Sequence, residues 1–269
     1  MSALKIANTS YNFTQTLAMV INKSFQEGVF PDQMQLAKVI PIHKGGSKTD
    51  VGNYRPISLL NIFSKIYEKL MHNRILKFLE GNNSLYETQY GFRPGRSCEH
   101  ALLNAQNSIL ESLNKRQISL LLLIDFSKAF DMVEHSILLK KLEHYGIRGP
   151  ALSWIKSYLS NRKQYVSVNG SDSATLSMEY GVPQGSILGP LLFVIYINDI
   201  PEVARFAKFI LYADDANIII TADTIEEISD KLETLTKNLV DWVNSNGLVL
   251  NLKKTKYMIF SQTHNTELP

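Results

Sequence analysis

Apolar and polar residues alternate along the chain in two ways, and each pattern predicts a different kind of element. Short apolar runs rich in β-branched side chains predict strands over residues 36–43, 118–124, 164–168, 174–179 and 257–260, and a hairpin within 209–220. Longer amphipathic or apolar stretches predict helices over residues 12–28, 58–80, 136–145, 150–159, 191–198 and 225–242. Because no internal repeat or linker interrupts this mixture, the pattern favours one interwoven α+β unit.

Several helix ends have recognisable boundary residues. Ser58 is predicted to cap the helix over 58–80, and Gly81 follows its last turn. Gly146 stops the helix before it, and Pro150 begins the next one. We therefore expect sharp helix ends at these positions.

Two adjacent carboxylates, Asp214 and Asp215, lie at the tip of the predicted hairpin between two apolar arms. Like charges this close raise each other's pKa and oppose folding unless a cation compensates them. A third carboxylate, Asp125, ends the apolar strand over 118–124. On neighbouring strands, the three carboxylates would come within reach of two magnesium ions about 4 Å apart, the arrangement that serves phosphoryl transfer. The alternative is a solvated turn, since Asp is a common turn residue.

Composition narrows the class of protein only slightly. A chain of 269 residues with 45% hydrophobic content can bury a sizeable core. The single cysteine, Cys98, excludes an internal disulfide, and we assign it no catalytic role. No apolar stretch is long enough to span a membrane, and residues 1–10 lack the layout of a signal peptide. We therefore expect a globular protein that is not inserted in a membrane.

The formal net charge of +3 is too small to indicate a nucleic-acid partner, but the charges are unevenly distributed. Residues 35–78 and 140–163 carry mostly basic charges, whereas residues 223–241 are predominantly acidic. Basic patches neutralise phosphates whatever the base sequence. Each basic segment therefore suggests part of a nucleic-acid groove, with an ordinary solvated helix face as its alternative.

Five ordered motifs carry a resemblance to a known family. They are NYRPISL at 53–59, QYGFRPGRS at 89–97, LIDFSKAFD at 123–131, GVPQGSILGPLLF at 181–193 and YADD at 212–215. In this order they resemble the core motifs of reverse transcriptases. The form of the fourth motif, followed by YINDI, resembles non-LTR (LINE-type, jockey-like) retrotransposons more than retroviruses or group II introns. The resemblance covers roughly residues 30–260.

The resemblance implies a right-hand polymerase fold in which a central antiparallel sheet carries the catalytic carboxylates. As a single reverse transcriptase domain over 1–269, it would have fingers at approximately 1–117 and 135–180 and a palm at 118–134 and 181–269. It implies an RNA-directed DNA polymerase that adds deoxynucleotides to the 3′ end of a DNA primer on an RNA template. Two Mg²⁺ ions are the implied cofactors, with Mn²⁺ as a substitute.

The resemblance also implies a role for each motif residue. The catalytic and metal-binding carboxylates are Asp125, Asp214 and Asp215, with Phe126 as a further metal ligand through its backbone. The implied nucleotide-binding residues are Lys44, Arg55, Phe126, Ser127, Phe130, Gln184 and Lys254. The implied template-binding residues are Phe92, Arg93 and Ser97, and Tyr212 and Ala213 support the hairpin.

Some of these roles have plain alternatives. Phe130 matches the aromatic residue that excludes a 2′-hydroxyl, and the alternative is a core aromatic. Lys254 matches a lysine that contacts the triphosphate or protonates pyrophosphate, whereas the neighbouring Lys253 and Lys256 make a solvated lysine cluster the alternative. For Phe92, Arg93 and Ser97 the alternative is an ordinary Gly-Pro loop.

The extent of the chain leads to further expectations. Because only residues 261–269 follow Phe260, we expect the thumb to be absent, and likewise an endonuclease region, both of which a full-length element would have. We expect a location in the cytoplasm and nucleus as a ribonucleoprotein. The alternative function is a catalytically silent nucleic-acid-binding relic, and an intron maturase or other cellular reverse transcriptase is a weaker third interpretation.

Overall fold

The computed structural model describes residues 11–262 as a mixture of helices and strands, which confirms the α+β class. The helices are α1 (Tyr11–Glu27), α2 (Ile62–Gly81), α3 (Cys98–Asn114), α4 (His135–His144), α5 (Gly149–Leu159), α6 (Gly189–Tyr196) and α7 (Ile225–Ser245). The strands are β1 (Leu36–His43), β2 (Tyr54–Leu59), β3 (Ile118–Asp125), β4 (Lys163–Val168), β5 (Ser171–Asp172), β6 (Leu176–Ser177), β7 (Lys208–Tyr212), β8 (Asp215–Ala222) and β9 (Lys256–Phe260).

Within residues 11–262, none of the helices is both long enough and apolar enough to cross a membrane. Residues 1–10, where we saw no signal-peptide layout, and residues 263–269 lie outside the described range. The chain divides into two compact units, Met1–Asn82 with Glu134–Leu192 and Asn83–Val133 with Phe193–Pro269. The assignment of segments to fingers and palm stays a prediction.

The first unit contains a mixed sheet with the strand order β2-β1-β4-β5, and β6 also pairs with β4. Strand β1 is antiparallel to β2 and parallel to β4. An aromatic cluster forms much of the core of this unit, because Phe30 lies edge-on to both Trp154 and Tyr158, with ring centroids 5.2 and 5.1 Å away. All three side chains are fully buried, and two of them, Trp154 and Tyr158, lie on helix α5, so this cluster holds α5 in the core of the unit.

The second unit contains an antiparallel sheet with the strand order β7-β8-β3-β9. The apolar runs explain its central position, since Leu120 on β3 and Ile218 and Ile220 on β8 are fully buried. Helix α7 packs on β8 and β3. Its buried residues recur on one face, and they are Ile228, Leu235, Leu239 and Val243.

One predicted helix start is wrong. Ser58 lies in strand β2, and helix α2 begins later, where the Asn61 side chain accepts a hydrogen bond of 2.8 Å from the Phe63 N–H. The pattern missed β2 because it assigned the last two residues of the strand, Ser58 and Leu59, to the helix; Pro56 is compatible with a strand at the edge of a sheet. The strand predicted over 174–179 is reduced to the two residues of β6.

Candidate active site

The sheet of the second unit brings the strand ends of the predicted carboxylates together. Asp125, the last residue of β3, is paired directly with Asp215, the first residue of β8, in the antiparallel register. Asp215 is also paired with Tyr212 across the hairpin, so Ala213 and Asp214 alone form the turn between β7 and β8. Directly opposite residues in such a ladder have Cβ atoms about 5 Å apart. The predicted neighbouring placement of the carboxylates is therefore present in the fold.

The environment of Asp215 disfavours its negative charge. Burial raises the pKa of the Asp215 carboxyl, and the negative charges of Asp214 and Asp125 raise it further, while Lys254 opposes them. Charge repulsion of this kind is relieved by a bound cation. Oxygen ligands with excess negative charge are what Mg²⁺ prefers, so the donor chemistry fits a divalent ion. Among residues 11–262, however, no three acidic, histidine or cysteine side chains are grouped closely enough to hold a metal ion.

Two side chains from the segment before β9 contact Asp125. The Lys254 Nζ lies 3.1 Å from Asp125 Oδ2, and the Asn251 amide donates a hydrogen bond of 2.9 Å to the same oxygen. The Lys254 side chain is 67% exposed, so this ion pair is weak and can exchange. Sequence reasoning gave no role to Asn251, which lies 126 positions from Asp125. Only the fold brings the two together.

The backbone after Asp125 is held by the same segment. The Asn251 N–H donates to the Asp125 carbonyl at 2.8 Å, and the Ser127 N–H donates to the Val249 carbonyl at 2.8 Å. The side chain of Phe126 is buried, with its ring 6.5 Å from that of Trp242. The Ser127 N–H is thus already engaged, and contacts of Phe126 and Ser127 with metal or triphosphate stay predictions.

Phe130 lies close to another predicted site residue. It is half-buried in a single turn after β3, with its ring centroid 4.6 Å from that of Phe193 and 6.4 Å from that of Phe92. The Phe92 ring meets it edge-on and is 49% exposed. The structure therefore groups one predicted nucleotide contact with one predicted template contact, while Phe193 supports the Phe130 ring from inside the unit.

Arg93 and Ser97 both have structural contacts. The guanidinium of Arg93 is buried and donates 2.7 Å to the Tyr86 carbonyl. Ser97 caps α3, where its hydroxyl accepts from the His100 N–H at 3.3 Å. These contacts shape the loop that precedes α3. Direct contact of either side chain with a template phosphate stays a prediction.

The other predicted nucleotide contacts lie in the first unit. Lys44 and Arg55 are exposed on the β1–β2 hairpin, where Arg55 pairs with Ile42 and the Lys44 N–H donates to the Asn53 carbonyl at 2.9 Å. The Gln184 carbonyl accepts a hydrogen bond of 2.6 Å from the Ser58 N–H, on the same strand as Arg55. Strand β2 therefore carries Arg55 and, through Ser58, also contacts the backbone of Gln184.

A glycine and a buried carboxylate fix the loop that contains Gln184. A Cβ on Gly185 would lie 2.7 Å from the Ser58 carbonyl, so only glycine allows this close approach. Glu68, fully buried on α2, accepts hydrogen bonds of 2.7 and 3.2 Å from the Ile187 and Leu188 N–H groups. Neither contact is visible in the sequence pattern, which shows Glu68 only as one acidic residue in a basic segment.

A family profile described as "Reverse transcriptase (RNA-dependent DNA polymerase)" matches residues 42–267. The chain belongs to the reverse transcriptase family. The match includes Asp125, Asp214 and Asp215, and the sheet pairs Asp125 directly with Asp215. The predicted family is therefore confirmed.

The relatives of this chain also confirm the non-LTR type. The chain is 32% identical over 247 residues to the probable RNA-directed DNA polymerase from transposon BS of Drosophila melanogaster, a match that covers 89% of this chain and 27% of the relative. It is 32% identical over 256 residues to the RNA-directed DNA polymerase from mobile element jockey of the same organism, covering 92% and 28%. The chain thus spans about a quarter of the length of these curated relatives.

Solved structures show the same fold at low sequence identity. The chain is similar to telomerase from Candida albicans, whose structure contains a fragment of telomeric RNA, with a TM-score of 0.61 and 13% identity. The match covers 94% of this chain and 46% of that one. Telomerase from Candida tropicalis matches with the same TM-score, 12% identity and coverage of 95% and 57%. At this level of identity the similarity concerns the fold alone.

Proposed function

We propose that this chain is an RNA-directed DNA polymerase that adds deoxynucleotides to the 3′ end of a DNA primer on an RNA template. The observation that carries this proposal is the direct pairing of Asp125 with Asp215 beside Asp214, in a chain that matches the reverse transcriptase profile. The named activity of the jockey and BS relatives supports the reaction type. The RNA-directed activity named for the same relatives supports an RNA template.

The three carboxylates are proposed to hold two divalent ions, Mg²⁺ or in its place Mn²⁺, with the Phe126 backbone as a further ligand. When bound, the ions would lower the pKa of the primer hydroxyl and neutralise charge on the triphosphate and the leaving pyrophosphate. Asn251 keeps Asp125 oriented through its amide hydrogen bond. Lys254 forms a weak ion pair with Asp125 and, because it is largely exposed, is proposed to offer its charge to the triphosphate.

The other contacts are proposed to bind nucleotide and template. The incoming nucleotide would be bound by Arg55, Lys44 and Gln184. The positive side chains of Arg55 and Lys44 would stabilise the charge of its triphosphate. The Phe130 ring would lie under the sugar and exclude a 2′-hydroxyl, while Phe92 would stack on or pack against the template. We further propose that the protein acts in the cytoplasm and nucleus as a ribonucleoprotein, which cell fractionation followed by RNA recovery would test.

The test is extension of a labelled DNA primer on an RNA template with deoxynucleotides and Mg²⁺. The wild-type chain is compared with Asp214→Asn and with a matched control, Asp223→Asn. Asp223 is exposed and follows the far end of β8, nine positions along the chain from Asp214. We expect Asp214→Asn to slow extension by about a thousandfold or more, because a metal ion contributes several kcal/mol to such a transition state. Asp223→Asn should extend at the wild-type rate.

Two results would contradict the proposal. Extension by Asp214→Asn at the wild-type rate would exclude the carboxylate site. Binding of primer and template by the wild-type chain without extension, under both Mg²⁺ and Mn²⁺, would instead favour the alternative of a silent nucleic-acid-binding protein. Circular dichroism of each variant controls for loss of fold.

A further inference from the structure

The segment before α3 lies along the free edge of β7, next to the proposed catalytic turn. The Leu211 N–H donates to the Thr88 carbonyl at 2.9 Å, and the Tyr90 N–H donates back to the Leu211 carbonyl at 2.7 Å. Gln89 and Leu211 therefore pair as in a parallel ladder. This backbone contact brings the side chain of Gln89 to the end of β7, where the turn begins.

The Gln89 side chain makes a bridge between two backbone N–H groups. Its Oε1 accepts a hydrogen bond of 2.8 Å from the Gly91 N–H and one of 3.1 Å from the Ala213 N–H. Gln89 is only 1% exposed, so these bonds do not compete with water. If the Gln89 side-chain amide were turned over, its NH2 group would face the N–H groups of Gly91 and Ala213, and donors would oppose donors. The amide oxygen must therefore face these two N–H groups. Ala213 is the first residue of the Ala213-Asp214 turn.

The conformation of Ala213 explains why the turn needs such a bridge. Ala213 has a φ of 56°, in the left-handed region that side-chain-bearing residues rarely adopt. Glycine is the usual residue at such positions in tight hairpins. A non-glycine turn held in this conformation must be stabilised by its surroundings. The hydrogen bond from the Ala213 N–H to Gln89 is the contact that acts directly on it.

Gly91 completes the bridge because it lets the two segments approach each other closely. A Cβ on Gly91 would overlap the Ala213 amide nitrogen and lie 2.9 Å from the Ala213 Cα. Both are backbone atoms, so the clash could not be relieved by moving a side chain. A side chain at residue 91 would therefore push the turn away from Gln89 Oε1, the acceptor of the Ala213 N–H.

We propose that Gln89 is a positioning residue that holds the Ala213-Asp214 turn, and through it Asp214 and Asp215, in the geometry required for catalysis. The inference rests on the proposed function for its kinetic consequence. It concerns the orientation of the carboxylates, and not contact of Gln89 with substrate. The plain alternative is a buried glutamine that contributes to stability alone.

The experiment compares Gln89→Leu, which removes the acceptor at similar size, with Gln117→Leu as the matched control. Gln117 donates its side-chain hydrogen bond of 2.9 Å to Asp223, at the opposite end of the β3–β8 ladder. Gln89→Leu removes the acceptor of both backbone hydrogen bonds, of which the one from the Ala213 N–H acts on the turn. We expect it to lower kcat for nucleotide addition about tenfold, the equivalent of that one hydrogen bond, with KM for deoxynucleotide within about twofold. Gln117→Leu should change neither constant. If part of a variant is unfolded, its apparent kcat falls because less enzyme is active. Active-site titration measures the active fraction, and kcat is corrected for it.

Two further readouts isolate the turn itself. In Gln89→Leu, hydrogen–deuterium exchange of peptides covering 208–220 should become faster at the turn, whereas in Gln117→Leu it should not. Ala213→Gly removes the left-handed constraint, so the kcat loss caused by Gln89→Leu should shrink to about threefold in that background. If Gln89 only stabilised the fold, Gln89→Leu would cause the same kcat loss in the wild-type and Ala213→Gly backgrounds.

The outcomes separate this inference from the proposed function. Equal exchange at the turn in Gln89→Leu and wild type overturns the inference, as does a kcat loss that is the same in the wild-type and Ala213→Gly backgrounds. If the wild-type chain does not extend a primer, the proposed function fails, and the exchange measurement alone decides whether Gln89 holds the turn. Faster exchange at the turn together with a kcat loss that Ala213→Gly reduces confirms it.

Discussion

Replacing Glu68 with leucine should destabilise the first unit strongly, because Glu68 is a fully buried carboxylate with three hydrogen bonds. Its oxygens accept from the Ile187 N–H at 2.7 Å, the Leu188 N–H at 3.2 Å and the Ser64 hydroxyl at 2.8 Å. Leucine is of similar size, so the change leaves little void and mainly leaves two backbone N–H groups unpaired. At about 1–3 kcal/mol for each buried group without a partner, the expected loss is about 4 kcal/mol.

The assay is thermal unfolding followed by circular dichroism. For a domain of this size about 4 kcal/mol corresponds to a fall in Tm of about 10 °C. The matched control is Glu27→Leu, which removes an exposed i,i+4 ion pair 3.7 Å from Lys23 and should cost only about 0.3 kcal/mol. Glu68→Gln keeps one acceptor oxygen and should fall between the two. A Tm for Glu68→Leu within about 2 °C of the control would refute the reasoning.

Three further predictions concern the candidate site. Burial and two neighbouring charges raise the pKa of Asp215, so Asp215→Asn should raise Tm when a chelator removes metal ions. The gain in Tm should be absent below both pKa values of Asp215 and should grow as the pH rises from the unfolded-state pKa to the folded-state pKa. A gain in Tm that does not change with pH would contradict this. In single-turnover assays, Lys254→Met should slow nucleotide addition more than the matched Lys253→Met does. It should change the free energy of unfolding by less than about 0.5 kcal/mol, because the ion pair is exposed. Equal rates for the two variants would show that Lys254 belongs to a solvated lysine cluster. Phe130→Val should raise incorporation of ribonucleotides relative to deoxynucleotides about tenfold or more, whereas an unchanged ratio on the same template would assign Phe130 to packing alone.

Periodicity predicted the elements whose buried face is apolar. The strand over 36–43 and the helix beginning at residue 225 match β1 and α7 at these bounds, because their buried residues recur at strand or helix spacing. Helix α3 was missed because its buried residues are only Ala101 and Ser112, while large apolar residues such as Leu102 are exposed. Its inward face, where Ala105 and Ile109 pack beside Ala101, is narrow and lies next to exposed leucines, so the apolar stripe is hard to recognise in the sequence.

The neighbouring placement of Asp125 and Asp215 was predictable because each lies at the end of an apolar strand and the two strands are neighbours, while their role as metal ligands stays a prediction. The residues that orient them were not predictable. Asn251 reaches Asp125 only through the return of the chain before β9, and Gln89 reaches Ala213 only through the ladder beside β7. Contacts of this kind depend on register between distant segments, which a local pattern does not contain.

The most direct test of the carboxylate site is a double-variant measurement of single-nucleotide addition on an RNA template with Mg²⁺. Asp125→Asn, Asp214→Asn and the double variant are compared with wild type at high enzyme concentration, so that slow addition is measurable. If the two side chains hold the same ions, each single change should reduce the rate by about a thousandfold, and the double variant should be no slower than the slower single variant. A wild-type rate in either single variant, or losses that multiply in the double variant, would contradict a shared metal site.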